Sequence, residues 1–259
     1  MSKKITVAKS WSELNQWQRE EIAHLYLHVD PEKFEGAYLQ MIFILFQKRD
    51  KFFAKLRLFS LLRNVPISSL EPFARFLIET TDFYSFPEIK GLIKPSDRLG
   101  NITIKQFSVI DTFFDAYSKD KTELNIRRFT ASLYRIKEKF DELDLPKVAE
   151  ITDKISVKKM ESIALAYQFT RMLIWDKYPV IFPKPKQETE EEKLKPIFKK
   201  KEQQYIPFEK IITGIAMDEL QPLGKKQDVN KTRIYEFLSV LSESILYHKE
   251  KQKAYDKAK

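Results

Sequence analysis

The sequence predicts an all-α protein, a multi-helix orthogonal bundle with a short N-terminal strand as the one exception. Two observations lead there. Only five glycines occur in 259 residues, alongside twenty phenylalanines and abundant Lys, Glu and Leu, a composition that favours long helices over tight-turned sheets. Apolar residues also recur at three- and four-residue spacing behind recognisable helix caps.

The first segment, Ile5-Thr6-Val7-Ala8-Lys9-Ser10-Trp11, is rich in β-branched residues and reads as a strand or an extended arm. Asn15 with Gln18 three residues on is a capping pair, opening a helix through Ile22, Leu25, Tyr26 and Val29. Asp30-Pro31 restarts the pattern as a cap and a first-turn proline, followed by Phe34, Tyr38, Met41, Ile42 and Leu45. From Arg49 to Arg63, Phe52, Phe53, Leu56, Phe59 and Leu62 form one face and Lys48, Lys51 and Lys55 another. Asn64-Val65-Pro66 ends that helix, because a residue before proline avoids the α region. A short helix follows Ser68 or Ser69, with Pro72 in its first turn and Phe73, Phe76 and Leu77 inward.

The connection from Asp82 to Gly100 contains Pro87, Gly91 and Pro95 but also Phe83, Tyr84, Phe86, Ile89, Leu92 and Ile93, so it is expected to pack onto the helices. Thr103 with Gln106 opens a helix through Phe107, Ile110, Phe113, Phe114 and Tyr117, and another runs from about Thr122 to Arg135 with Leu124, Ile126, Phe129, Leu133 and Tyr134. After a break at Leu145-Pro146, the segment Val157 to Tyr178 is apolar almost all round and belongs at the core.

Composition then shifts. Residues 183–205 combine Pro183 and Pro185 with an acidic and then a basic cluster, too few apolar groups to offset the entropy of ordering, and read as a linker or mobile loop between a main helical domain (1–182) and C-terminal helices with a Lys-rich tail (206–259). There Ile211, Ile212, Ile215 and Met217 mark a short helix, Gln221-Pro222-Leu223-Gly224 a turn, and a last helix from Asn230 uses Ile234, Phe237, Leu238, Leu241, Ile245 and Leu246.

Several chemistries are excluded by residue type. With no cysteine there is no disulfide framework, thiolate nucleophile or thiolate zinc site. The glycines are isolated, so no phosphate-cradling loop can form. The N-terminus lacks the apolar stretch of a signal peptide, and the apolar run 37–46 is far short of the ~20 residues that span a bilayer. His24 and His28 are spaced i, i+4 with Glu20 one turn earlier, and that face could hold a metal; without a His-Glu-x-x-His arrangement and with His248 the only other histidine, the reading is surface or core histidines and no metal. Asp111 and Asp115 are read as a solvated helix edge, not a general acid and base, and Arg127-Arg128 as helix surface. No catalytic residue and no cofactor are expected.

The net charge of +9 would aid association with something acidic. Candidate contacts to a partner or to nucleic acid are Lys48, Arg49, Lys51, Lys55, Lys199, Lys200 and Lys201. The aromatics beside the first four lie on the core face, which weakens a stacking platform for single strands.

Trp11-Ser12-Glu13-Leu14, then Phe86-Pro87-Glu88-Ile89-Lys90-Gly91-Leu92 leading to Leu99-Gly100-Asn101-Ile102-Thr103, follow one another in a characteristic order. Phe107 to Tyr117, Leu133-Tyr134-Arg135, Tyr178-Pro179-Val180-Ile181-Phe182, a short helix from Phe208 and Thr232-Arg233-Ile234-Tyr235-Glu236-Phe237-Leu238 continue it. In that order of segments, over nearly the whole chain, the sequence resembles helical proteins of phage and prophage tail gene clusters of Bacteroidota, from which it departs in the Lys200-rich linker and longer basic tail. The resemblance implies a non-enzymatic protein of tail assembly or of the virion (head, neck or tail), located in the virion or the infected bacterial cytoplasm. The partners implied are other phage structural or tail proteins; a homo-oligomer and nucleic acid remain open and a membrane is not expected. The alternative is a basic helical nucleic-acid-binding protein.

Overall fold

The computed structural model describes residues 7–47, 56, 60, 63, 65–183 and 207–258. Among them the chain is all-α: packed helices, no strand, and two isolated bridges, Ile93 with Arg135 and Thr103 with Arg233. No helix among the described residues is long and apolar enough to cross a membrane.

The expected N-terminal strand is not found in its described part. Val7 to Lys9 have no ladder partner, and Trp11 opens a 3-10 turn, Trp11–Glu13. What fixes Trp11 is burial: its ring stacks on Phe83 at 5.7 Å, meets Tyr26 and Phe169 edge-on, and its indole N–H donates to the Thr80 carbonyl at 3.3 Å.

Helix α1 (Gln16–His28) opens on a reciprocal capping box. The Asn15 side chain accepts from the Gln18 N–H, and the Gln18 side chain accepts from the Asn15 N–H, both at 3.1 Å. The Gln18 amide NH2 then donates to the Leu45 and Gln47 carbonyls at 2.9 and 2.8 Å, satisfying groups left open at the end of α2 (Phe34–Leu45). Helix α2 follows Asp30 through a 3-10 turn, Pro31–Lys33.

Of the expected basic helix 49–63, Leu56, Ser60 and Arg63 are described and helical. Two short helices follow, α3 (Glu71–Ala74), with Pro72 in its first turn, and α4 (Phe76–Glu79). Leu77 is buried as expected, but Phe73 is exposed, meeting Phe46 edge-on at 6.2 Å, because four residues make too little helix to seat two faces. The connection 82–100 packs as expected: Phe83, Phe86, Ile89 and Leu99 are buried, and the Tyr134 hydroxyl donates to the Pro87 carbonyl at 2.8 Å.

Helix α5 (Ile104–Lys119) starts at Thr103, whose hydroxyl accepts from the Gln106 N–H. The fully buried Gln106 amide does not return to its own cap. It donates to the Ser132 and Leu133 carbonyls at 3.1 and 3.2 Å, at the end of α6 (Glu123–Leu133). Leu124 is exposed in the first turn of α6, and burial begins at Ile126. Helix α7 (Leu145–Thr152) leads to α8 (Val157–Lys177), capped by Ser156 and buried along most of its length against α1 and α6. Its last turns emerge, leaving Met172 and Trp175 partly exposed.

Helices α9 (Phe208–Ala216), α10 (Lys226–Lys231) and α11 (Ile234–Ala258) close the chain. Met217 caps α9 and is exposed, and the expected single helix from Asn230 is interrupted at Thr232-Arg233, where the Thr232 carbonyl accepts from Ile104 N–H at 2.9 Å and Ile234 N–H donates to Ile102 at 3.0 Å. Phe208 meets Phe107 edge-on at 5.0 Å. The C-terminal helices therefore add side chains to the core built by α5 and α8.

Candidate functional site

Helix α8 brings a carboxylate into an apolar setting. Glu161 sits between Met160 and Ile163, and its side chain is only 4% exposed. A carboxylate withdrawn from water must be met by hydrogen bonds and positive charge. Here two imidazoles supply the bonds: His24 Nδ1 lies 2.7 Å from Glu161 Oε2, and His28 Nε2 lies 2.7 Å from Oε1. The i, i+4 spacing places both rings on one face of the last turns of α1, 4.9 Å apart. That end of a helix favours positive charge. Three ligand atoms thus lie within 4.8 Å of one another.

The surroundings are layered. Lys158 pairs with Glu21 at 2.7 Å beside the cluster, and Lys121 donates to the Leu27 carbonyl at the end of α1. On the core side, the Tyr117 hydroxyl is buried without a hydrogen-bond partner among the described residues; burial, and then the Glu161 charge, push its pKa upward. On the solvent side, His24 and His28 are 42% and 36% exposed and line a cleft of about 320 Å³ between α1 and α2, with Asp30, Lys33 and Gln40 among its walls.

The i, i+4 histidine face expected from the sequence is real, but its acid is not Glu20. Glu20 accepts from Gln16 at 2.8 Å, and His248 pairs with Asp218 at 2.7 Å on α11. Glu161 was missed because it is 137 residues from His24. A signal existed: an acid placed inside an apolar helix.

A second buried carboxylate corrects another expectation. Asp111 is fully buried, not part of a solvated edge. It accepts from the Tyr167 hydroxyl at 3.0 Å and pairs with Arg171, whose Nε lies 2.6 Å from Oδ1. The Arg171 guanidinium also lies over the Trp175 ring at 4.4 Å. Asp115, one turn on, pairs with Lys119 at 2.7 Å, so the two acids do not act together. Arg127 bonds Glu123 and Asp153 on the surface. Lys48, Arg49, Lys51, Lys55, Lys199, Lys200 and Lys201 lie outside the described residues.

The class defined by these features is an all-α chain whose 21-residue core helix contributes one buried, partnered carboxylate, Glu161, and supplies the partners of a second, Asp111 on α5. No family model, curated protein or solved structure matches it.

Proposed function

We propose that the chain is a non-enzymatic protein that acts by protein–protein interaction, in phage tail assembly or as a structural component of the virion. The observation that supports interaction most is α11. Its first turns bury Ile234, Phe237, Leu238 and Leu241 in the core, and residues 246–258 are all exposed. From Leu241 to Ala258 that leaves about 25 Å of helix. An isolated helix of this length is marginal in water. It bears Leu246, Tyr247 and Tyr255 on its surface and, over residues 249–258, four lysines against two acids, which fits an acidic, partly apolar partner surface. Its base is fixed: Asp218 accepts from Leu220 N–H, His248 and Ser244, which hold its pKa below the usual carboxylate value. The phage setting rests on the order of segments along the sequence.

The test is quantitative proteomics of purified particles, with the full-length chain compared against one ending at Tyr247. A structural component is present at fixed copy number, and an assembly factor is missing from particles while its truncation lowers the yield of finished tails. A truncation with no effect on particles, from which the full chain is also absent, overturns the proposal. The lysines of the arm also favour nucleic acid as a second reading. That reading requires retention on DNA or RNA at ~50 mM salt and a steep loss as salt rises.

A further inference from the structure

We infer that His24, His28 and Glu161 form a binding site for one divalent first-row transition metal of the Zn²⁺ type, which clamps α1 to α8. Two histidines one turn apart and one carboxylate are a recognised three-ligand set for zinc, with a water completing the tetrahedron. The donors present are imidazole nitrogen and carboxylate oxygen, which suit Zn²⁺, Co²⁺ and Ni²⁺ better than Mg²⁺ or Ca²⁺, whose shells are built of oxygen.

The geometry is one step from coordination. The two 2.7 Å N···O contacts are hydrogen bonds, each holding a proton between imidazole and carboxylate. Ligands at 2.0–2.1 Å around a tetrahedral ion stand about 3.3 Å apart, so a metal asks each of these contacts, made to different Glu161 oxygens, to open by roughly half an ångström and the widest ligand separation, within 4.8 Å, to close toward that spacing. The exposed histidines can make that adjustment, while Glu161 is fixed by the packing of α8. Solvent reaches the imidazoles from the cleft side, where a water can take the fourth position. The buried Glu161 carboxylate supplies the reason for the site: among the described residues its hydrogen bonds come from two imidazoles, and a divalent ion would bring it a fixed positive charge.

The proposal is tested on the full chain, stripped with chelator and titrated with Co²⁺ while visible absorption is recorded. The expected result is a d–d band of tetrahedral intensity that saturates at one Co²⁺ per chain, is displaced by Zn²⁺, and is accompanied by a rise in Tm. His28→Ala, at a half-exposed position, should weaken Co²⁺ binding at least as much as the roughly 10–100-fold typical for loss of an outer-shell partner. His248→Ala, on α11, should leave it unchanged. X-ray absorption of the wild-type Co²⁺ form gives a reading independent of how well the variants fold, and should show nitrogen and oxygen ligands including two imidazoles. Absence of the d–d band, fewer than two imidazoles at the bound metal, or affinity unaltered in both His24→Ala and His28→Ala would overturn the inference.

Discussion

Two buried carboxylates lie where α8 crosses its neighbours, Glu161 on α8 itself and Asp111 on α5, and they are satisfied in opposite ways. Asp111 meets the Tyr167 hydroxyl and Arg171, a cation at every working pH whose guanidinium lies over the rings of Phe114 and Trp175. Glu161 meets two histidine rings whose outer faces are wet. The first arrangement is closed and permanent, and the second is open and exchangeable. Buried charge alone therefore does not mark a functional site in this protein; what distinguishes Glu161 is that its partners can be traded for something else.

The contrast has a measurable form in stability, taken with chelator present. Asp111→Asn should be the most damaging change, lowering unfolding free energy by about 3–5 kcal/mol, toward the lower end because Arg171 keeps some contact with water. It leaves a guanidinium beside two aromatic rings with no anion to answer it. Denaturant melts give the value directly. A loss below about 1 kcal/mol would mean that Asp111 is not the counter-ion that holds α5 to α8.

Glu161→Gln comes second, at about 1–2 kcal/mol. The amide retains a donor and an acceptor for the two rings, and each ring left over can turn to water. If Glu161→Gln proves as costly as Asp111→Asn, the histidine cluster is as closed as the arginine one and the distinction drawn between them fails.

How much of this could be read from the sequence depends on the distance over which each feature is decided. Caps are local, and Asn15, Thr103, Thr122 and Ser156 stand one residue before their helices in the chain and in the fold. The second duty of Gln18 and Gln106, closing the far end of another helix, is set by tertiary approach and has no local trace. Apolar spacing defines a helix face but not whether a neighbour covers it, which is why Phe73, Leu124 and Met217 point to solvent. The same limit hid both carboxylates. Asp111 was paired in sequence with Asp115, and the crossing of α5 with α8 gave it Arg171 instead; the histidines stood beside Glu20, and the crossing of α1 with α8 gave them Glu161.

The smallest effect is the most discriminating for the core side of the Glu161 cluster. Among the described residues the buried Tyr117 hydroxyl has no hydrogen-bond partner, and the nearby carboxylate raises its pKa without accepting its proton. An orphaned donor in an apolar setting is a desolvation penalty with nothing returned for it. Tyr117→Phe removes the oxygen and keeps the ring, so it should be neutral or stabilising by up to about 1 kcal/mol in a denaturant melt. It should also leave Co²⁺ affinity at the histidines unchanged, because the phenol makes no bond to Glu161. A destabilisation of more than about 1 kcal/mol would mean that the hydroxyl has a partner in solution. The nearest charge to supply one is the Glu161 carboxylate, and the cluster would then be closed on its inner side by a third hydrogen bond, making it resemble Asp111 more than the two exposed imidazoles suggest.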